Sequence, residues 1–199
     1  MDSSKLYNMY FKEKDYAQLK PKHKVITMND TVKKFFKEWI YPIILALVIA
    51  VLINKFLFFK SKIPSSSMHP AIMEGDHIFV TRVYNKGKLQ RGDIVLFNSK
   101  ELNMLLVKRL IGLPGDKIVI DEEGLLHING EKIDEPYVVR KDNTPGNFEV
   151  PEDCYLFLGD NRAESLDSRF WKMPYISEKD IVGKAWIIVY PFNRIQTLH

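Results

Sequence analysis

The stretch NMLLVKRLIGLPGD, residues 103–116, sets two adjacent cations inside an apolar run and closes on a Pro-Gly-Asp turn. A short apolar run bounded by such a turn reads as a strand. Strand alternation puts Lys108 on one face with Met104, Leu106 and Leu110, and Arg109 on the other with Leu105, Val107 and Ile111. Periodicity alone does not say which of the two is buried. Their chemistry separates them: arginine does not lose its proton in a protein, so only Lys108 can act as a base. For that its pKa must fall from about 10.4 towards about 7 or 8, which burial achieves. The commoner use of a strand lysine is to lay its stem along apolar surface with the amine in water.

Working outward, similar runs recur after residue 60. DHIFVTRVY, DIVLFNS, KIVID, LLHING, CYLFLGD and IVGKAWIIVYP alternate or run apolar, with Gly, Pro, Asn and Asp between them. They predict a mainly β fold, an antiparallel β sandwich or barrel-like domain over residues 60–199. The one short helical turn expected there lies in SEKDIVG, capped by Ser177 and ended by Gly183. Residues 120–150 are more polar and turn-rich, and read as a smaller inserted hairpin region.

Upstream, residues 39–59 (WIYPIILALVIAVLINKFLFF) are apolar except for Asn54 and Lys55. At about 1.5 Å per residue a helix of this length reaches about 30 Å, the thickness of a bilayer core. This predicts one N-terminal transmembrane anchor, with Trp39 and Tyr41 in the interfacial belt. The alternatives are a cleaved signal peptide, against which the long basic preface speaks, and a buried core helix. Lys20, Lys22, Lys24, Lys33, Lys34 and Lys37 precede the segment, and Lys55, Lys60 and Lys62 follow it. That bias predicts a cytoplasmic tail, residues 1–38, and an extracytoplasmic β domain.

The chain has 199 residues, of which 46% are hydrophobic and 27% charged, enough for one globular domain with appendages. Cys154 is the one cysteine, so neither an intrachain disulfide nor a cysteine zinc cluster is available. The net charge of +4 is carried entirely by residues 1–38, which leaves no basic domain to suggest nucleic acid. No histidine spacing suits a metal, and no metal or cofactor is expected.

Just past the anchor, PSSSMHP, residues 64–70, offers three serines. A serine hydroxyl is a weak nucleophile until a base takes its proton. Of the histidines, His23 precedes the anchor, His199 ends the chain and His69 is too near in sequence, leaving His77 and His127, which read as ordinary surface or satisfied side chains.

IPSSSMHP followed by EGD, then RGDIVLF, VKRLIGLPGD and GDNRAESLDSR, in that order behind an anchor, resemble the successive boxes of the bacterial type I signal peptidases, peptidase family S26. The ending GKAWIIVYPFNRI resembles the shorter, single-anchor members typical of Gram-positive bacteria. The resemblance implies a fold shared with LexA-like proteases and a Ser/Lys dyad in which Ser67 is the nucleophile and Lys108 the general base. It implies that Ser65 adds its hydroxyl to the Ser67 N–H as an oxyanion hole, that Ser165 orients the lysine, and that Asp167 and Arg169 brace the loop. Substrates would be preproteins with signal peptides, cut after small residues near the membrane lipid and the secretion translocon, through an acyl-enzyme.

Three positions depart from the family's pattern. Ala163 and Glu164 stand where Asp and Asn are usual, Ala71 follows Pro70 where Thr is usual, and KMPYIS replaces a stretch richer in Gly and Val. The first change is expected to loosen the loop that holds Ser165. Ser66 has no role in this reading. The rival readings are a catalytically silent, membrane-anchored β binding module and a LexA-like self-cleaving regulator. The second would carry a DNA-binding helical domain in place of the anchor.

Overall fold

The computed structural model describes residues 29–198; the tail through residue 28, with His23 and its lysines, and His199 lie outside the described residues. The chain divides into two compact units between Ile49 and Ala50. Helix α1 (Asp30–Phe35) runs through a π-helical turn (Phe36–Ile40) into α2 (Tyr41–Phe56). Pro42, which has no N–H to give to the carbonyl of Glu38, follows directly after that turn. Val32–Phe56 is the one described helix long and apolar enough to cross a membrane, and none of its length is buried, unlike the core helix weighed above. Phe58 and Phe59, counted with the apolar segment by composition, instead open the first strand.

Among the described residues the strands are β1 (Phe58–Lys62), β2 (His77–Arg82), β3 (Ile94–Ser99), β4 (Met104–Gly112), β5 (Lys117–Ile120), β6 (Leu126–Ile128), β7 (Glu131–Lys132), β8 (Gly146–Glu149), β9 (Cys154–Leu158), β10 (Tyr175–Ser177), β11 (Ile181–Tyr190) and β12 (Gln196–Thr197). All neighbours pair antiparallel, in a large sheet ordered β1-β2-β11-β3-β4-β9-β10, with β12 on β11, and a small sheet ordered β7-β6-β5-β8. The polar region around residues 120–150 thus forms most of a second sheet.

Period-2 alternation explains how one sheet serves three cores. In β3, Ile94 and Leu96 enter a cluster with Ile63, Met68, Ile78 and Ile188, while Val95 and Phe97 enter another with Leu110, Phe157 and Trp171. In β9, Phe157 joins that second cluster, while Leu156 and Leu158 join Ile111, Ile118 and Ile128 under the small sheet. The Phe97 and Phe157 rings stack at 4.3 Å across the second cluster.

Strand β4 is asymmetric along its length. It pairs with β3 from Met104 to Arg109, but with β9 only from Arg109 to Gly112. The far edge of Met104–Lys108 therefore has no strand partner among the described residues.

The expected helical turn is a 3-10 turn, Glu178–Asp180, and Ser177 caps it by accepting from the Lys179 N–H. Gly183 does not end it: β11 begins at Ile181 and runs straight through that glycine. The reason is close packing, since a Cβ on Gly183 would lie 2.5 Å from the Thr81 carbonyl and 2.6 Å from Val80 Cγ1. Gly183→Ala is expected to lower stability by about 1–3 kcal/mol, because the opposing group is backbone and gives little. Chemical denaturation of the two proteins side by side checks this, and equal midpoints would refute it.

Candidate active site

The serine loop joins β1 to β2 and is anchored on both sides of its reactive part. Ile63, Met68 and Ile72 are buried in the first core, and Ile63 exchanges backbone hydrogen bonds with Gly75 and Asp76. Asp76 is held by Arg194, with an Nη2–Oδ2 distance of 3.0 Å. Between these anchors Ser67 is buried at 8% exposure, and Ser65 is exposed, its Oγ 3.4 Å from Ser67 Oγ. The Ser67 carbonyl accepts from the Asn161 N–H at 3.1 Å, which ties this loop to the turn after β9.

Both cations of β4 are buried, each at 3% exposure. Both lie inside because the half of the strand beyond Val107 is covered on both faces. The two solve burial differently. Arg109 forks onto Asp160 with bonds of 2.8 and 2.7 Å, gives a third to the Gly92 carbonyl, and lies 4.1 Å from the Tyr137 ring centroid. Burial pushes the Asp160 carboxyl up, and the arginine fork opposes that. Lys108 meets no carboxylate directly. Its Nζ donates to Ser165 Oγ at 2.9 Å, and burial brings its pKa down to about 8. Asp167 and Asp160 pull upward and Arg169 downward, but desolvation is the largest effect.

The segment 159–169 supplies the rest. Asp167 is fully buried and accepts from the Gly159 N–H at 2.9 Å, while Arg169 forks onto it at 2.9 and 3.0 Å. Arg169 also reaches Asp142 at 2.8 Å and the Arg162 carbonyl at 2.7 Å, so it ties the loop to the small sheet's connection. Gly159 sits wedged: a Cβ there would meet the Ser165 side chain and lie 2.5 Å from the Ser67 carbonyl.

Ser65, Ser67, Met68, Lys108, Glu164 and Leu166 line a cleft of about 420 Å³, with the free edge of β4 from Met104 to Val107 along one wall. No described histidine lines it. His127 pairs instead with Asp121 at 2.9 Å, and His77 stacks edge-on against Tyr190.

Glu164, expected to loosen the loop, makes contacts across it. Its carboxylate accepts from Ser66 Oγ at 3.2 Å and Asn161 Nδ2 at 3.0 Å, and pairs with Arg140. Sequence reasoning also missed Asn161, Gly159 and the partner role of Ser66. Their contacts span up to 98 residues, as between Ser66 and Glu164, and no local pattern marks them.

The family description "signal peptidase, peptidase S26" matches residues 36–190. A signal peptidase I of Bacillus licheniformis is 39% identical, covering 80% of this chain and 91% of that protein. Signal peptidase IB of Staphylococcus aureus (strain COL) is 36% identical, covering 83% and 95%. Among solved structures, a signal peptidase I from Enterococcus faecalis V583 aligns with a TM-score of 0.43 at 32% identity, over 49% of this chain and 96% of that one.

Keeping a buried lysine at about 8 instead of 10.5 has a stability consequence. Below about pH 8 the amine is charged both folded and unfolded, and its desolvation costs about 3 kcal/mol in full. As pH rises from about 8 to 10.5 the folded protein releases the proton first, and the cost disappears. Lys108→Met is therefore expected to be more stable than the parent at pH 7, with the gap closing across that window in parallel urea titrations. A gap that is absent, or that widens with pH, would show that Lys108 is not desolvated.

Proposed function

The chain belongs to the signal peptidase family, peptidase S26, and on that premise we propose that Ser67 and Lys108 form its catalytic dyad on the outer side of a membrane. Membership makes it a serine endopeptidase of the signal peptidase I type, which removes signal peptides. One observation carries the dyad: a lysine brought to about 8 by burial shares a cleft with a nearly buried serine, and that cleft has a free strand edge.

The preprotein adds as an extended strand to the open edge of β4, its main chain hydrogen-bonded and its alternate side chains turned to the apolar wall of Ile63, Leu106 and Val107. That wall suits the small side chains that the family resemblance implies before the cut. Ser67 Oγ attacks the scissile carbonyl while neutral Lys108 takes its proton. The oxyanion that forms is met by the Ser67 N–H and the Ser65 hydroxyl. The ammonium of Lys108 then gives that proton to the leaving amine, which departs as the new N-terminus and leaves the signal peptide esterified to Ser67. A water attacks this ester while its proton passes to Lys108, and the Lys108 ammonium returns that proton to Ser67 Oγ as the acyl bond breaks, so the signal peptide leaves with a free carboxylate and both Ser67 and neutral Lys108 are regenerated. Ser165, accepting from Nζ, aims the amine throughout, and the Asp167–Arg169 fork holds Ser165's segment.

Burying an amine lowers stability, which a purely structural binding module has no reason to retain. The apolar helix Val32–Phe56, the one such helix among the described residues, fits a membrane anchor. The lysine bias around it supports an inward N-terminus, which would leave the β domain on the side of the membrane where preproteins emerge.

Ser67→Ala, Lys108→Ala and Lys108→Arg are each expected to abolish preprotein cleavage in detergent while the protein stays folded, with the parent's new product N-terminus read by mass spectrometry. Normal cleavage by Lys108→Arg would mean that another group is the base. Because Lys108 works only when neutral, the parent's kcat/KM should rise with pH and level off above about 8. A rate already flat from pH 6 would contradict the assignment.

A further inference from the structure

We propose that Glu164 is a positioning residue for this reaction: through the Asn161 amide it holds the Ser66–Ser67 peptide so that the Ser67 N–H points into the cleft. The inference rests on the assignment of Ser67 as nucleophile and of its N–H as oxyanion donor.

The Ser66–Ser67 bond is a trans peptide, so its C=O and N–H point in opposite directions from one rigid plane. Whatever fixes the Ser66 carbonyl aims the Ser67 N–H. Two donors reach that carbonyl, the His69 N–H at 2.9 Å and Asn161 Nδ2 at 3.3 Å. The first belongs to the same loop and moves with it. The second comes from the turn after β9, the segment that also carries Ser165, and so sets the peptide relative to Lys108.

Asn161 is 1% exposed, and its Oδ1 has no hydrogen-bond partner among the described residues. The rotation of its amide is therefore set through Nδ2, which is shared between the Ser66 carbonyl and Glu164 Oε2 at 3.0 Å. The same Oε2 accepts from Ser66 Oγ at 3.2 Å, closing a ring of side chain, amide and serine around the peptide. Glu164 Oε1 pairs with Arg140, whose backbone bridges Asn161. These contacts, Asn161 first, then Ser66 and Arg140, hold the carboxyl below its ordinary pKa and keep it an acceptor at neutral pH. A donor fixed in place before the oxyanion forms needs no rearrangement when charge develops, which is where such donors act on rate.

The test uses the full chain in detergent, with kcat and KM for a preprotein measured for the parent, Glu164→Ala, Glu164→Gln, Asn161→Ala and the double variant Glu164→Ala/Asn161→Ala. Glu164→Ala should lose roughly ten- to a hundredfold in kcat at unchanged KM. The acid limb of its pH profile should stay at about 8, because burial, Asp167, Arg169 and Asp160 set the Lys108 pKa and Glu164 is not among them. Glu164→Gln keeps an oxygen for Nδ2 and should recover most of the rate; Asn161→Ala should match Glu164→Ala, and the double variant should be no worse. Parental kcat in Glu164→Ala, a loss confined to KM, a displaced acid limb or additive losses would each overturn the proposal. Should Glu164→Ala not fold, full kcat in Asn161→Ala overturns it equally. Ser67→Ala assayed alongside separates the premises: cleavage by that variant removes the dyad itself, whereas a dead Ser67→Ala with a fully active Glu164→Ala removes only the role of Glu164.

Discussion

Lys108 donates to Ser165 at 2.9 Å from a position with 3% of its surface exposed, and the lowering of its pKa to about 8 follows chiefly from that loss of water. Charges nearby do not reverse it. Asp167 and Asp160 would each favour the ammonium, but both are already forked by arginines, Asp167 by Arg169 and Asp160 by Arg109. A carboxylate left unpaired at either place would pull the lysine back towards its ordinary value. The two ion pairs thus act on Lys108 by neutralising their own acids as well as by bracing the loop.

Burial of Lys108 in turn depends on β4 being covered on both faces beyond Val107, and on the β9 turn closing over it. Gly159 permits that closure, since its missing side chain lets Ser165 and the Ser67 carbonyl approach together. The first part of β4 is left open on the side away from β3. One strand therefore combines an unpaired edge at its start with a buried amine a few residues later, the combination that the proposed mechanism uses.

Much of this was legible in local pattern. The alternating runs after residue 60 marked strands, and the apolar segment marked the one long helix among the described residues, because both signals repeat over distances shorter than the elements themselves. Periodicity does not separate Lys108 from Arg109 because the strand is buried on both faces from Lys108 onward, so both alternation sets are internal there. Gly183 was read as a stop because glycine's freedom is the local signal; its actual cause is the Thr81 carbonyl, about a hundred residues away in the chain, and it is visible only in three dimensions. Glu164 was expected to weaken the loop as a departure from pattern, whereas its carboxylate gathers Ser66, Asn161 and Arg140 from three segments. Such convergences leave no mark on local sequence.

The mechanism depends on the protonation state of the Lys108 amine, which a titration of that amine reads. In Ser67→Ala protein labelled at lysine side chains, with the Lys108 resonance assigned by its loss in Lys108→Met, NMR titration should give a pKa of about 8. A Lys108 that titrates near 10.5, like an ordinary exposed lysine, would contradict the account.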